Sequence, residues 1–324
     1  MNSSTEQQTR AEWLAERRNY LGATDTASIL GKGFNSPFGV YVEKTGGELP
    51  EPSDELRIIM DLGLELEPFM ARLFKRETGK GLIEVPPMRH PEHSFIGANI
   101  DRMTEDRAAV VELKTHGLST LAEFGPEGSD QVPDRYHIQV TKQLGIARLN
   151  GYPVHTGFLY AFDLATRKTR LFVIPFDEQF FDFLISKDVE FWNRHVLAGV
   201  APEVSEKDED RLRLLYPEDD GEYLIASEEE DDLIGRLMDI SPKRRAICKE
   251  FDDLKAKAIQ VIGDHAGITS MYGKVTYKNS APSSSTDWEA VARELCPVID
   301  PAVIARHTTT KPGSRRFLLP REAK

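Results

Sequence analysis

The stretch that decides the fold is Gly97-Ala98-Asn99-Ile100-Asp101, a polar turn, and then Val110-Val111-Glu112-Leu113-Lys114-Thr115. Successive side chains of a strand face opposite sides, so Glu112 and Lys114 share one face of the second segment. Charged side chains are depleted in strands and are rarely buried without partners. Two of them on one face of an apolar strand predict a bound metal or substrate.

Asp101 is expected to end the preceding strand, and a hairpin then brings it beside Glu112. Two neighbouring carboxylates form a hard oxygen site suited to Mg²⁺ or Mn²⁺. Lys114 would orient a metal-bound water or help to deprotonate it. The alternative is an ordinary ion pair between Glu112 and Lys114 on the solvated face of an edge strand, and the strand alone does not decide between the two.

Length and composition restrict the class of protein. The chain has 324 residues, of which 40% are hydrophobic, enough for one large core or two modest ones. No apolar run approaches the roughly 20 residues of a membrane span, and residues 1–8 lack signal-peptide features. The two cysteines, Cys248 and Cys296, provide neither a disulfide framework nor a cysteine-rich metal site. We therefore expect a protein of the reducing cytoplasm with no membrane partner.

The net charge of −12 is unevenly distributed along the chain. Residues 203–232 hold fourteen acidic side chains against three basic ones, whereas residues 233–324 hold sixteen basic against ten acidic. An acidic run of this kind is typical of a solvated linker or helix face. Global charge therefore neither supports nor excludes a DNA partner.

Sequence patterning predicts an α/β core followed by a different region. Helices are expected over the first 80 residues, including one long helix from Asp54 to Thr78 or a pair broken near Gly63. Thr24 or Asp25 is expected to cap a short helix that ends at Gly31. Further predicted elements are strands near 82–87, 94–100 and 109–115, a helix over 134–149, a hairpin over 155–176 and an aromatic-rich helix capped by Asp177.

The C-terminal region is predicted to be mainly helical. Its elements are a charged helix over 227–262 interrupted or restarted at Pro242, a strand at 273–278, a helix over 287–295 and a basic tail at 311–317. The expected organisation is a core domain over residues 1–202, an acidic linker over 203–232 and a C-terminal extension over 233–324. The extension is expected to hold DNA or to mediate assembly.

Four segments, taken in order, resemble the phage lambda-type exonuclease family, also called YqaJ-type viral recombinases, of the PD-(D/E)xK nuclease superfamily. The resemblance covers about residues 13–176. The segments are Trp13-x-x-x-Arg17-x-x-x-Leu21-Gly22-Ala23-Thr24-Asp25, Gly63-x-x-x-Glu67, Asp101 with Glu112-Leu113-Lys114, and Tyr136-x-x-Gln139-Val140-x-x-Gln143. Three positions depart from the family pattern: Ile100 replaces proline, Arg102 replaces glycine and Thr24 replaces serine. None of these departures removes an expected metal ligand.

The resemblance implies a restriction-endonuclease-like mixed sheet flanked by helices, and it implies roles for individual residues. Asp101, Glu112 and the Leu113 carbonyl would hold Mg²⁺, with Mn²⁺ as a substitute, and Glu67 would reach the same site. Lys114 would position the nucleophile, and Gln139 would hydrogen-bond the nucleophilic water or neighbouring ligands. Arg17 and Thr24 would bind a DNA phosphate, and Arg18 competes with Arg17 for this role. From the residues alone, Gln139 and Gln143 equally suit an exposed helix face.

The function expected from the resemblance is a Mg²⁺-dependent deoxyribonuclease that digests linear double-stranded DNA from its ends, as a 5′–3′ exonuclease in phage-type recombination. A restriction-like or structure-specific endonuclease is the first alternative, and a non-catalytic DNA-binding or assembly protein is the second. The resemblance further implies a ring-shaped homo-oligomer and a single-strand annealing protein as partner.

Overall fold

The computed structural model describes residues 16–47, 53–117 and 123–280, together with the single positions 285, 292, 305, 306 and 308. The chain divides into two compact units, with the boundary along the chain between Tyr216 and Pro217. The basic tail at 311–317 lies outside the described residues, as do all but one residue of the helix predicted over 287–295 and most of the helix predicted at the N-terminus.

The first unit is a mixed α/β structure. Its helices are α1 (Ala23–Ile29), α2 (Pro37–Lys44), α3 (Asp54–Thr78), α4 (Asp134–Leu149), α5 (Glu178–Phe191) and α6 (Glu209–Leu215). Its strands are β1 (Leu82–Ile83), β2 (Met88–Arg89), β3 (Gly97–Ala98), β4 (Arg102–Thr104), β5 (Ala109–His116), β6 (Thr156–Asp163) and β7 (Thr169–Pro175). A π-helical turn, Trp192–Leu197, extends α5.

Five strands form the main sheet in the order β1-β4-β5-β6-β7. The neighbours β5 and β6 run parallel, and the other pairs run antiparallel. A parallel connection needs a crossover, which α4 provides between these two strands. The second pair of strands, β2 and β3, forms a separate antiparallel ribbon. The predicted fold class, a mixed sheet flanked by helices, is confirmed.

Helices cover both faces of the sheet. On one face, Met70 and Phe74 of α3 pack against Val111 and Tyr160. On the other face, α4 and α5 bury the larger cluster, to which Val140, Leu144 and Phe181 belong. Strand β5 is therefore buried on both faces, as is usual for the central strand of an α/β sheet.

Helix α4 lies close to β6 because Gly157 has no side chain. A Cβ atom at that position would lie 2.1 Å from Cγ1 of Val140, closer than two carbon atoms can approach without displacement. The predicted bounds of α4 are confirmed, and so is the hairpin formed by β6 and β7.

Two helices differ from their sequence-based predictions, and a third matches one of the two alternatives left open for it. Helix α1 is capped by Gly22, whose N–H donates to the carboxylate of Asp25 at 2.8 Å, so the prediction of Thr24 or Asp25 as the cap is wrong. Helix α3 is continuous through Gly63 and Pro68, so the predicted single helix from Asp54 to Thr78 is confirmed, and the left-handed residue Gly79 (φ 73°) ends it. The predicted interruption at Pro242 is also wrong, because that proline lies inside one helix.

The predicted acidic linker begins inside the first unit. Asp208 is fully buried and accepts hydrogen bonds from the hydroxyl of Ser36 and from the backbone N–H of Ser205, the latter at 2.8 Å. Residues 203–216 therefore belong to the first compact unit, and a boundary at residue 202 would cut through its structure. The functional division into core, linker and extension remains a prediction.

The second unit contains the long helix α7 (Glu228–Ile262) and a hairpin of β8 (Gly267–Ser270) and β9 (Gly273–Thr276). Ser227 caps α7, with Glu230 completing a capping box. Within the described ranges, none of the helices combines the length and apolar character required to cross a membrane.

A buried ion pair joins three helices of the first unit. The ammonium of Lys142 on α4 contacts Asp188 of α5 at 2.5 Å and Thr26 of α1 at 2.8 Å. The same ammonium donates to the carbonyl oxygens of Leu21 and Gly22 at 3.0 and 3.2 Å. Lys142 and Asp188 are completely buried, so the pair holds the segment that leads into α1 against the core.

Replacement of Lys142 by methionine tests this anchor. The variant K142M leaves Asp188 as a buried charge without its partner, which costs about 3–5 kcal/mol in the free energy of unfolding. The double variant K142M/D188L removes both charges, and we expect it to recover most of that loss. Urea unfolding followed by circular dichroism measures both changes. A loss below about 1 kcal/mol in K142M would contradict the anchoring role.

Candidate active site

The hairpin of β4 and β5 brings Asp101 beside Glu112. Arg102 pairs with Val111, so the preceding residue lies opposite Glu112. The carboxylate of Asp101 also accepts a hydrogen bond of 2.9 Å from the N–H of Leu113. The predicted pairing is therefore present, but Asp101 lies in a bend before β4 instead of ending the preceding strand. Because Asp101 is not part of a strand pairing, its carboxylate can accept a hydrogen bond from the backbone of β5.

Glu112 lies at the centre of the sheet with 0% of its surface exposed. Its Oε1 atom accepts a hydrogen bond of 2.5 Å from Gln139 and contacts the ammonium of Lys114. Its Oε2 atom accepts a hydrogen bond of 2.6 Å from Gln143. The alternative of an ion pair on a solvated face is therefore wrong, because a buried carboxylate with three donors is a built site.

Helix α4 supplies both glutamines. Gln139 and Gln143 are one helical turn apart on the same face, and both are buried against β5. Gln143 also donates to the carbonyl of Asn99 at 2.9 Å, which links the helix to the segment before Asp101. The interpretation of both residues as exposed glutamines is wrong. Gln143 was not predicted as a site residue, although its spacing from Gln139 already placed it on the same face.

The site combines a carboxyl group of raised pKa with a lysine held in its charged form. Burial and the negative charge of Glu112 raise the pKa of Asp101 from its ordinary value of 3.8 to about 7, against the opposing effect of Lys114. Burial alone would lower the pKa of Lys114, but the two carboxylates outweigh it and raise that pKa. When Asp101 and Lys114 compete for one proton, the proton therefore resides on Lys114.

Glu67 projects from α3 toward the same site. Burial raises its pKa, partly opposed by Arg102, and the charge of Glu112 raises it further. Arg102 lies 3.6 Å from Glu67 and 3.2 Å from Glu84, so it bridges α3 and the loop after β1. Arg102 was noted in the sequence only as a departure from glycine. In the structure its guanidinium holds the Glu67 side chain beside the site.

The donor set suits a hard divalent cation. Asp101 and Glu112 supply carboxylate oxygens, and the Leu113 carbonyl faces the same side of β5 as its N–H, which points at Asp101. Mg²⁺ is commonly held by one or two carboxylates together with water and substrate phosphate. Within the described ranges, no three Asp, Glu, His or Cys side chains are arranged as a complete ligand set. The residues therefore fit a cation that shares its coordination with a substrate.

Arg17 and Thr24, the predicted phosphate-binding residues, line one cavity of about 210 Å³ together with Gln139. The remaining wall includes Arg135 and Tyr136, which precede Gln139 on α4. The structure thus places the predicted phosphate-binding residues and one predicted catalytic residue along a common cavity. Neither Arg135 nor Tyr136 was predicted as a functional residue from its sequence position.

Arg17 takes part in a compact charge cluster. Its guanidinium lies 3.0 Å from Asp25 and 3.7 Å from Glu43. The buried ammonium of Lys44 lies 2.9 Å from Asp25 and 3.0 Å from Glu43. Burial would raise the pKa of Asp25, but Lys44 and Arg17 lower it overall. The two cations and two carboxylates balance, so a bound phosphate would have to compete with Asp25 for Arg17.

The fold and the site together define an α/β protein with a carboxylate–lysine–glutamine centre on the central strand of a mixed sheet. Residues 12–150 match the family model described as the YqaJ-like viral recombinase domain. Residues 12–150 are therefore a YqaJ-like viral recombinase domain, and the predicted family is confirmed.

A relative and two solved structures show similarity. The uncharacterised protein YqaJ of Bacillus subtilis (strain 168) is 32% identical over 220 residues, which cover 67% of this chain and 66% of that protein, slightly under two thirds of its length. An alkaline exonuclease from Laribacter hongkongensis is 19% identical, with a TM-score of 0.45, 57% of this chain and 91% of that chain covered. A phage related exonuclease from Haemophilus somnus 129PT is 11% identical, with a TM-score of 0.40 and coverage of 56% and 96%.

The raised pKa of Asp101 predicts a pH-dependent stability of the metal-free protein. Because its pKa in the folded protein, about 7, lies above the ordinary value of 3.8, the folded state retains a proton that the unfolded state loses between these pH values. The contribution of Asp101 to the free energy of unfolding therefore falls as the pH rises through this window. In EDTA, the variant D101N should gain stability relative to the unmodified protein between about pH 4 and pH 7.

Urea unfolding of both proteins at a series of pH values measures this difference. The variant E112Q serves as the control. Removing the neighbouring charge lowers the pKa of Asp101, so the pH range over which Asp101 changes the stability becomes narrower. A stability difference between D101N and the unmodified protein that is constant with pH would contradict the raised pKa.

Proposed function

We propose that this protein is a metal-dependent deoxyribonuclease that hydrolyses linear double-stranded DNA from its ends. The observation that carries the proposal is the arrangement of Asp101, Glu112 and Lys114, in which two carboxylates and an ammonium meet at the edge of a buried strand. The family match over residues 12–150 supports it. A phosphodiester is an anion, so a site rich in carboxylates suits it when a cation offsets the charge.

Asp101, Glu112 and the Leu113 carbonyl would hold Mg²⁺, with Mn²⁺ as a substitute, and Glu67 would contribute from α3. When bound, such an ion supplies a water of lowered pKa and neutralises charge that develops on the phosphate. The protein itself orients the carboxylates before the substrate binds. Gln139 and Gln143 fix Glu112 by holding both of its oxygens, so little reorganisation is required during reaction.

Lys114 has the charge and position to hold the attacking water against the phosphate. Because the neighbouring carboxylates raise its pKa, it acts as a hydrogen-bond donor and a positive charge and not as a base at neutral pH. Gln139 lies where the cavity meets Glu112, so it can also bond to the water or to the scissile phosphate.

Arg17 and Thr24 would bind the phosphate at the end of the strand that is digested. Both line the cavity that Gln139 also reaches, so a terminal phosphate there would set the distance to the scissile bond. This arrangement favours an exonuclease acting in the 5′–3′ direction in phage-type recombination. A restriction-like endonuclease using the same carboxylates is the alternative, and a non-catalytic DNA-binding protein is a second one.

The proposal extends to the setting of the reaction. Double-stranded DNA is the partner, a single-strand annealing protein would receive the exposed strand, and the protein would act in the cytoplasm as a ring-shaped oligomer. These statements rest on the family alone. The second unit, with its basic residues after position 232, is proposed to help hold DNA or to mediate assembly.

Comparison of linear and closed circular duplex DNA, with Mg²⁺ and with EDTA, tests the function. An exonuclease degrades only the linear form and only with the metal, an endonuclease also nicks the circle, and a non-catalytic protein cleaves neither. The variants D101A and E112A should each lose about a hundredfold or more in cleavage rate, the scale on which removal of a charge-stabilising group acts. Circular dichroism checks that both variants fold.

The variant K114A separates the lysine from the metal ligands. We expect it to bind Mg²⁺ and DNA as the unmodified protein does while its turnover falls by about a hundredfold, because the ammonium acts mainly in the transition state. Metal titration by calorimetry and single-turnover cleavage provide the two readouts. If K114A loses metal affinity as severely as E112A, the assigned role is wrong.

End recognition is tested with duplexes that carry either a 5′-phosphate or a 5′-hydroxyl. The unmodified protein should degrade the phosphorylated duplex faster, and the variant R17K should lessen this preference because lysine lacks the two-pronged guanidinium. Lysine retains a positive charge beside Asp25, which protects the fold. The variant R18A removes the exposed competing candidate, and it should leave the preference unchanged if Arg17 holds the phosphate. Equal rates on both ends in the unmodified protein would refute the phosphate site but not the nuclease.

A further inference from the structure

Helix α7 carries a strict seven-residue repeat of exposed apolar side chains. The helix is 35 residues long, about 52 Å at 1.5 Å per residue. The repeating residues are Leu233, Ile240, Ile247, Leu254 and Val261. Each of the five is between 54% and 69% exposed, although side chains of this kind are usually buried in a folded protein.

A second set of positions, four residues after each of the first four members, lies on the same side of the helix. These positions hold Leu237, Arg244, Phe251 and Ala258. The two sets correspond to the d and a positions of a heptad repeat, with the first set at d. Phe251 is 65% exposed, like its neighbours in the d positions. Together the two sets form one continuous line of residues along the helix, which we name the α7 seam.

Pro242 lies opposite the α7 seam. At about 100° per residue, position f of the heptad is half a turn away from the middle of the a and d positions. Gly235, Pro242, Lys249 and Ala256 occupy the f positions. The residues that weaken or bend a helix, Gly235 and Pro242, therefore avoid the seam. This distribution is what a helix requires when one side must stay regular for packing.

The charges beside the α7 seam fit a parallel copy of the same helix. Glu250 occupies a g position and Lys255 the following e position. In a parallel, in-register coiled coil these two positions of neighbouring helices face each other, so each pair of helices gains two Glu250–Lys255 contacts. The other g positions of the described seam, Arg236, Lys243 and Lys257, meet Ser241, Cys248 and Ile262, which carry no charge of the same sign.

We propose that α7 forms a parallel, in-register coiled coil with the same helix of other copies of this chain. A seam that repeats every seven residues winds around its partners with a left-handed supercoil, and an identical helix presents an identical seam. Isoleucine or valine at three of the five d positions, with leucine at the first a position of the seam, favours three or four strands over two. Arg244, the single charged residue inside the seam, fixes the register at a cost in stability.

The proposal is independent of the catalytic centre, and the full-length protein tests it. In sedimentation equilibrium, the variant L254D should raise the subunit dissociation constant by about tenfold or more, because it places a carboxylate in the apolar seam. The variant A256D adds the same charge two residues away at an f position, and it should leave the constant unchanged. A difference between the dissociation constants of L254D and A256D is then explained by the loss of apolar packing in the α7 seam, because both variants add the same charge.

Cysteine cross-linking reports the alignment of the helices. In a C248S/C296S background, L254C should give a covalent dimer on mild oxidation with copper–phenanthroline, since d residues face each other in a parallel coiled coil. A256C in the same background should give none. Equal cross-linking of both variants, or none at position 254, overturns the parallel seam. An unchanged dissociation constant in L254D overturns the pairing of copies and indicates that a different protein covers the seam.

Discussion

A single buried carboxylate, that of Glu112, constrains the whole first unit. A charge at the centre of a sheet is unfavourable unless donors surround it, and here two amides and an ammonium do so. The amides come from α4, so this helix must pack against β5 in a single orientation about its own axis. An adjacent face of α4 then places Lys142 beneath α1, which fixes the wall of the cavity.

Much of the fold could be predicted from the sequence, because its local signals are strong. The bounds of α4 and the β6–β7 hairpin follow from apolar periodicity and turn residues, and the structure confirms both. The continuity of α7 through Pro242 could not be predicted from the local rule, since that proline lies on the face away from the seam. The position of Asp101 was also missed, because a residue just before a short strand carries the same local pattern as one that ends it.

The candidate site was predictable only where its residues are neighbours in the chain. The spacing of Glu112 and Lys114 placed both on one face of a strand, and the structure agrees. Which face of α4 is buried depends on its packing against the sheet, so Gln143 gave no signal beyond its helical spacing. The partners of Arg17 are a similar case, since Glu43 belongs to another helix and only the fold brings it near.

Gly157 carries no functional group, yet it controls the reach of the glutamines. The distance between α4 and the sheet is small because Val140 occupies the space that a side chain at position 157 would fill. A glutamine has a fixed length, so a wider gap would withdraw both amides from Glu112 and leave its charge to Lys114 alone. The small size of Gly157 thus sets the geometry of the Glu112 site. In relatives, a larger residue at this position should occur together with different side chains on the face of α4 that packs against the sheet.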